Sequence, residues 1–312
     1  MKKIWIDGCF DMFHYGHANA IRQAKADNNY VIVGVHSSED ILFNKGLPVL
    51  SCKERGEVVR ACRWTGEVVE GSPYATCREV YIKYGCELVM HGNDASINTS
   101  GDDTYMEPKI NNEFSEFERT EGISTTEIVG RMLLRQKAMT SPLISNELTD
   151  LQKCLLEKFA LPIKERKGKV VYVDGSFDLY HAGHCSLLAM AKKQGDYLVA
   201  GIHDDIEMGK IKAPVLNFIE RKLALLSNKY IDEVVDAPYY PSEEYLNKLG
   251  VNIIVCGKGA DKSCYKNIGP NIQLIELDHE YNYLSSEVII KRIIDNYIEY
   301  EKRNNIRKER GF

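Results

Sequence analysis

The sequence has no apolar run that approaches the roughly 20 residues a membrane-spanning helix needs. It has no excess of basic residues either, since 40 Lys and Arg stand against 45 Asp and Glu, for a net charge of −5. The basic field typical of a nucleic-acid-binding protein is therefore missing, so we expect no nucleic-acid partner and no transmembrane segment. A few local Lys, Arg and His residues would still suffice to bind a small anionic substrate.

Paired cysteines are missing as well. The nine cysteines are an odd number, are scattered along the chain and include no C-x-x-C pair. This pattern disfavours a disulfide framework and indicates free thiols in a reducing cytosol. The first apolar run, residues 4–6, begins almost at Met1, so we expect no signal or transit peptide and a cytoplasmic protein.

The sequence does contain one pattern that occurs twice. Residues 7–17 read DGCFDMFHYGH and residues 174–184 read DGSFDLYHAGH, an offset of 167 residues that also relates His36 to His203. Each copy follows an apolar run typical of a buried strand and precedes a segment typical of a helix. Two copies at one offset, each between a strand and a helix, indicate a tandem domain duplication.

Strand-like and helix-like segments alternate in both halves, which predicts a parallel sheet wrapped by helices. We therefore expect an α/β fold with two tandem Rossmann-like, doubly wound domains at residues 1–137 and 170–312. A partly helical connector would occupy residues 138–169. Residues 95–118 are polar, and we expect them to form an irregular, mobile excursion near the site.

The turn in the first copy has the expected geometry of an anion site. Gly8 lets the backbone approach a ligand, and a helix that starts after the turn offers N–H groups and its positive dipole end. His14 and His17 lie three residues apart, so their imidazoles can converge on one small anion. Structural histidines or metal ligands are the alternatives, and the duplication of the pair favours the anion site.

Two further segments are predicted at the same edge of the sheet. Residues 91–94 (HGND) follow a strand, and ligands in such folds bind outside the carboxyl ends of strands. Residues 124–127 (STTE) form an N-cap cluster at a second helix, with Arg119 close by. A helix needs a cap in any case, so only Arg119 and the spacing point to a binding role.

The H-x-G-H element after a G-x-F-D turn, together with RTEGISTT at residues 119–126, resembles the cytidylyltransferases of phospholipid synthesis. H-x-G-H alone is shared with class I aminoacyl-tRNA synthetases, but the chain has no K-M-S-K-S loop. The resemblance covers nearly all of both halves, and the tandem arrangement is similar to that of members acting on phosphoethanolamine. It implies CTP and phosphoethanolamine as substrates, Mg²⁺ as cofactor and a nucleotidyltransferase reaction in phosphatidylethanolamine synthesis.

The resemblance also implies roles for individual residues. His14, His17, Lys45 and Arg119 would be the catalytic residues, because they would hold and stabilise the triphosphate. The nucleotide-binding residues would be Gly8, Cys9, Phe10, Asp11, Gly16, His91, Gly92, Asp94, Ser124, Thr125 and Thr126. Candidates in the second copy are Gly175, Ser176, Phe177, Asp178, His181, Gly183, His184, Gly257, Lys258, Ser285 and Ser286.

The second copy departs from the pattern in its closing segment. At an offset of 160 residues, His279 replaces Arg119, Asn282 replaces Gly122 and Leu284 replaces Ser124. We therefore expect the first copy to do most of the turnover. Two alternatives stay open: a choline-phosphate or other alcohol-phosphate substrate, and a CTP-binding regulator with a degenerate second domain. The oligomeric state also stays open, a homodimer included.

Overall fold

The structure, a computed structural model, describes residues 1–138, 148–162 and 164–309. Contacts divide the chain into two units, Met1–Thr140 with Ile289–Phe312, and Ser141–Val288. The end of the chain thus packs with the first unit, whereas the sequence pattern placed it with the second domain. Residues 139–147 of the predicted connector lie outside the described residues.

The first unit is built on a parallel sheet of five strands in the order β3-β2-β1-β4-β5. Its strands are β1 (Lys3–Gly8), β2 (Tyr30–His36), β3 (Glu67–Ser72), β4 (Leu88–Gly92) and β5 (Phe114–Phe117). Its helices are α1 (Tyr15–Ala24), α2 (Ser38–Asn44), α3 (Cys52–Ala61), α4 (Arg78–Ile82), α5 (Met106–Ile110) and α6 (Thr125–Ala138). The central strands β1 and β2 are almost wholly buried, which explains their continuous apolar sequences.

The second unit repeats this topology, with strands in the order β8-β7-β6-β9-β10. Its strands are β6 (Val170–Gly175), β7 (Tyr197–His203), β8 (Glu233–Ala237), β9 (Val251–Gly257) and β10 (Gln273–Leu277). The remaining helices of the chain are α7 (Asp150–Lys158), α8 (Ala182–Lys192), α9 (Asp205–Gly209), α10 (Phe218–Leu226), α11 (Glu243–Leu249), α12 (Ser286–Asp295) and α13 (Tyr297–Glu309). The predicted α/β fold with two tandem, doubly wound parallel sheets is confirmed.

The strand order reverses beside the first strand of each sheet. In the first unit the chain runs outward from β1 through β2 to β3, and then returns to the other side of β1 with β4. Such a reversal opens a crevice at the carboxyl ends of the two strands. Gly8 ends β1 and Gly92 ends β4, so both predicted motif segments flank this crevice.

Two expectations for local structure are wrong. Residues 95–118 are not simply irregular, because they contain α5 and the edge strand β5. β5 has only four residues, FSEF, and is partly exposed, so it carries no apolar run to reveal it. The single closing helix predicted at 287–301 is two helices, α12 and α13.

No helix among the described residues combines the length and the apolar character that a transmembrane span requires.

Candidate active site

The turn after β1 is held in a strained conformation. Phe10 and Met12 have φ angles of 50° and 52°, in the left-handed region that bulky residues rarely adopt. Their second-copy counterparts, Phe177 and Leu179, have φ angles of 50° and 49°. All four side chains are buried, and this packing holds the backbone in place. Such strain concentrates at functional sites, and here it occurs at the same two positions in both units.

His14 and His17 form an unusual N-terminal cap for α1. The Gly16 N–H donates to Nδ1 of His14 over 3.1 Å, and the His14 N–H donates to Nδ1 of His17 over 3.4 Å. The two rings stack with their centroids 3.9 Å apart. Because each Nδ1 accepts a hydrogen bond, a neutral ring carries its proton on Nε2. The backbone thus sets up two neighbouring imidazoles as Nε2–H donors.

Burial keeps both rings neutral. It lowers the pKa of His17 to about 3, and the nearby charges of Arg119 and Lys45 lower it further. Burial also lowers the pKa of His14 well below its ordinary value, with His17 and Arg119 as additional causes. At neutral pH the pair therefore presents hydrogen-bond donors without net charge, beside the cationic groups of Lys45 and Arg119.

Asp11 and Arg55 brace the turn from within the protein. The Asp11 carboxylate accepts the N–H groups of Val49 and Leu50 over 2.8 and 3.0 Å. Arg55 is fully buried, and its guanidinium donates to the backbone carbonyls of Leu50, Cys9 and His36. The question left open for Arg55 is thereby answered in favour of a structural brace.

One cavity of about 570 Å³ opens at the carboxyl ends of β1 and β4. Every site residue predicted for the first copy lines it: Gly8, Cys9, Phe10, Asp11, His14, Gly16, His17, Lys45, His91, Gly92, Asp94, Arg119, Ser124, Thr125 and Thr126. The structure thus brings four separate sequence segments together, while their individual roles stay predictions.

The closing segment attaches to the turn through hydrogen bonds. The Thr125 hydroxyl donates to the Asp11 carbonyl over 2.8 Å, and Ser124 caps α6 by accepting the Glu127 N–H. Arg119 is 46% exposed and pairs with Asp94 over 2.8 Å. The guanidinium therefore stays accessible to an anion, whereas the Ser124 and Thr125 hydroxyls already serve the fold.

A buried carboxylate that the sequence analysis did not single out also lines this cavity. Asp7 is 4% exposed and accepts hydrogen bonds from Trp5, Thr76 and Tyr105. These three donors are all uncharged, so the carboxylate has no cationic partner among the ion pairs of the described residues. The only sequence signal was its position as the first residue of the duplicated pattern.

Three other lining residues were not predicted. Tyr74, interpreted from the sequence as a packing residue, is buried and lies under the Lys45 ammonium, 5.3 Å from the ring centroid. Glu299 and Lys302 belong to α13, at the far end of the chain. No motif could have linked them to residues near the N-terminus, because only the tertiary fold brings them there.

The second unit repeats the histidine geometry. The Gly183 N–H donates to Nδ1 of His181 over 3.1 Å, and the rings of His181 and His184 stack at 3.8 Å. Burial lowers the pKa of His184 to about 3, as it does for His17. Asp178 accepts the N–H groups of Val215 and Leu216, as Asp11 accepts those of residues 49 and 50.

The expected correspondence in the closing segment needs a correction. Ser286 donates to the Asp178 carbonyl just as Thr125 donates to the Asp11 carbonyl, an offset of 161 rather than 160. Ser285 therefore matches Ser124, and the predicted replacement of Ser124 by Leu284 is wrong. The strands before the cap still match at 160, because Leu277 accepts from Lys258 as Phe117 accepts from Asn93. One residue is thus inserted between β10 and the cap.

The inserted residue does not restore an arginine. Arg119 would correspond to His279 at an offset of 160 and to Glu280 at 161, and neither is a guanidinium. His279 is the group whose charge lowers the pKa of His181 and His184, after burial and, for His181, after His184. The second unit therefore keeps its histidine pair and its capping serines but has a weaker cationic side.

Cavity size does not identify the active site. A cavity of about 780 Å³ lies in the second unit between the end of α7 and β8, where Leu156, Pro162, Tyr197 and Val234 line it. None of the predicted site residues borders it. The convergence of chemical groups distinguishes the 570 Å³ cavity.

Comparisons with known proteins agree with the geometry. The cytidylyltransferase-like family pattern matches residues 5–131 and 172–307. A protein of Encephalitozoon cuniculi named probable ethanolamine-phosphate cytidylyltransferase is 43% identical, covering 98% of each chain. The Dictyostelium discoideum ethanolamine-phosphate cytidylyltransferase is 39% identical over 97% of this chain and 93% of its own. Rat choline-phosphate cytidylyltransferase A is 38% identical, but covers only 42% of this chain and 36% of its own.

Proposed function

This chain belongs to the cytidylyltransferase-like family, and on that premise we propose that it transfers the cytidylyl group of CTP to phosphoethanolamine. The products are CDP-ethanolamine and pyrophosphate. Relatives named for the ethanolamine reaction match the chain along nearly its whole length, whereas the choline-phosphate enzyme matches less than half of it. The observation that carries the proposal is the single cavity shared by the histidine pair, Lys45 and Arg119.

The reaction places specific demands on these groups. A phosphate oxygen of phosphoethanolamine attacks the α-phosphorus of CTP, and the bond to the β-phosphate oxygen breaks, so that pyrophosphate leaves with the electron pair. Such a transfer depends on positioning and on stabilising charge at the phosphoryl oxygens. The Nε2–H groups of His14 and His17 would donate to those oxygens, and Lys45 and Arg119 would neutralise the remaining charge.

The role of Mg²⁺ follows from the donor set. Among the residues that the structure describes, no three His, Cys, Asp or Glu side chains form a metal-binding group. Mg²⁺ is usually held by substrate phosphates, several waters and only one or two carboxylates. The site therefore fits a Mg²⁺ ion that arrives on the CTP triphosphate, where it would supply additional charge neutralisation.

Asp7 offers the acceptor a counter-charge. Phosphoethanolamine carries an ammonium group, and a buried carboxylate with only neutral partners is a favourable place for a cation. We expect Asp7→Asn to raise the KM for phosphoethanolamine at least tenfold, since a charge-assisted contact is worth about 1.5–3 kcal/mol. The KM for CTP should change much less. Asp174→Asn, the matched change in the second copy, is the control, and equal effects from both variants would contradict this role.

The proposal is tested by assaying the purified full chain for pyrophosphate release. CTP is compared with ATP, and phosphoethanolamine with phosphocholine and glycerol 3-phosphate. The highest kcat/KM should belong to CTP with phosphoethanolamine. A preference for phosphocholine would support the alternative substrate, and the absence of turnover with every pair would contradict the enzyme assignment.

We also propose a cytoplasmic location. All nine cysteines are free, and several are buried, as in proteins of reducing compartments. The absence of a nucleic-acid partner and the homodimer stay predictions.

A further inference from the structure

The last two helices reach back to the segment that carries Lys45. The Arg292 guanidinium on α12 binds the Glu54 carboxylate with two parallel hydrogen bonds, each of 2.8 Å. The same guanidinium donates to the Val49 carbonyl over 3.3 Å. Tyr300 on α13 is buried, and its hydroxyl donates to the Pro48 carbonyl over 3.2 Å. All of these residues belong to the first unit.

The ion pair is placed where its loss would matter. Glu54 is 2% exposed and also accepts the Ser51 N–H in the cap of α3. A buried carboxylate that loses its partner is strongly unfavourable, so the local structure would rearrange to rehydrate it. The neighbouring residue Arg55 holds the carbonyls of Cys9 and His36. Disturbance at the start of α3 would therefore reach the turn at the site.

Residues 48–50 are consequently held from two sides. The Asp11 carboxylate binds the N–H groups of Val49 and Leu50, while Arg292 and Tyr300 bind the carbonyls of Val49 and Pro48. Lys45 lies three residues before Pro48 and lines the cavity. Fixing both faces of this short segment restricts where the Lys45 ammonium can go.

We propose that Arg292 and Tyr300 are positioning residues for the first catalytic site, acting by holding residues 48–50 so that Lys45 meets the CTP phosphates. This inference rests on the proposed function for its kinetic consequence. The clamp itself is a property of the free protein. Since small misplacements of a catalytic group can cost up to about a hundredfold in rate, a remote clamp is a sufficient cause of a kinetic defect.

The test uses the full chain with four variants. Arg292→Met removes the guanidinium but keeps the apolar stem, Arg292→Lys keeps the charge, and Tyr300→Phe removes only the hydroxyl. Lys291→Met, an exposed neighbour on α12, is the control. The kcat and KM for CTP are measured with hydrogen exchange at residues 44–50. Fluorescence of Trp5 and Trp64 reports folding, because both lie in the first unit.

We expect Arg292→Met to lower kcat/KM for CTP about tenfold or more and to speed exchange at residues 44–50. Arg292→Lys should recover part of the loss, Tyr300→Phe should show a smaller change in the same direction, and Lys291→Met should match the wild type. If Arg292→Met unfolds the first unit, Tyr300→Phe and Arg292→Lys still decide, because each leaves the ion pair or a charge in place.

A double-mutant comparison separates positioning from general damage. In a Lys45→Met background, Arg292→Met should cost less than threefold, because the group it positions is already gone. Full additivity, or wild-type exchange at residues 44–50 in Arg292→Met, would overturn the inference. If the wild-type chain transfers no cytidylyl group, the proposed function fails, whereas the exchange measurement still reports on the clamp.

Discussion

At the scale of single residues, backbone N–H groups determine what the histidine pair can do. By donating to Nδ1 of His14, the Gly16 N–H fixes a tautomer and a ring orientation together, and the His14 N–H does the same for His17. A lysine pair at these positions would carry charge but would lack this fixed geometry. The H-x-G-H spacing therefore matters because it connects each ring to a particular amide.

Gly16 is required by space rather than by backbone conformation. A Cβ at this position would lie 2.9 Å from the His14 ring and 3.1 Å from the Ile123 side chain. We therefore expect Gly16→Ala to displace the ring and lower kcat at least tenfold, while the first unit stays folded by tryptophan fluorescence. Gly209→Ala, where the new methyl group meets open space, is the control. Normal kcat in Gly16→Ala would contradict the tight ring placement.

The lowered histidine pKa values predict how stability depends on pH. The folded protein keeps His17 neutral down to a pH of about 3, whereas the unfolded chain takes up that proton below its ordinary pKa of 6.5. The unfolded state therefore binds more protons as the pH falls from about 6.5 towards 3, and the free energy of unfolding decreases there, by at most about 1.4 kcal/mol per pH unit for each such group.

Urea unfolding at pH 7, 6 and 5, followed by tryptophan fluorescence, measures this slope for the first unit. The double variant His14→Asn with His17→Asn should show a shallower decrease than the wild type. An unchanged slope would mean that the two imidazoles are not kept neutral by folding.

At this scale the sequence identified the groups but not their constraints. The duplicated motif pointed to His14 and His17 because chemistry-bearing residues recur at a fixed spacing. It did not reveal the left-handed conformation of Phe10 and Met12, since neither residue type favours it. Asp7 was missed because an aspartate beside a glycine is also typical of an ordinary turn.

At the scale of elements, strands with buried faces were predictable and the short edge strand was not. β2 is continuously apolar because helices cover both of its faces, whereas β5 has mixed residues at the edge of the sheet. The shift from an offset of 160 to 161 before Ser285 was likewise hidden, because only the hydrogen bond from Ser286 to Asp178 fixes the register.

The segment at residues 48–50 gives a test at this scale. Asp11→Asn replaces one acceptor oxygen with an amide donor opposite a backbone N–H, which should cost about 1–3 kcal/mol of unfolding free energy. It should also lower kcat/KM for CTP, because the segment that carries Lys45 loosens. Asp178→Asn removes the same bonds to Val215 and Leu216 in the second unit.

Hydrogen exchange at residues 49–50 and 215–216 compares the two aspartate variants directly. Both should lose protection locally, but only Asp11→Asn should lose most of its activity. Equal kinetic losses would show that the second unit contributes as much to turnover as the first.

At the scale of the whole molecule, duplication gives two similar sheets with different electrostatics. Each unit has a stacked, neutral histidine pair at the start of a helix, but only the first has Arg119 beside it. A triphosphate carries several negative charges, so the loss of a guanidinium weakens binding and charge stabilisation together. The two copies are therefore expected to differ in rate more than in fold.

Matched substitutions of the first histidine in each pair measure that difference. His14→Asn and His181→Asn both retain a side chain that can cap a helix, so both proteins should fold, while each loses one Nε2–H donor. We expect His14→Asn to lower kcat by about 10²-fold or more and His181→Asn to lower it only a few-fold. CTP titration of the two full-length variants then separates an enzyme with a silent repeat from a CTP-binding regulator. If the wild type shows no turnover and only His181→Asn abolishes CTP binding, the regulator is supported, because the nucleotide would then be held by the second unit alone.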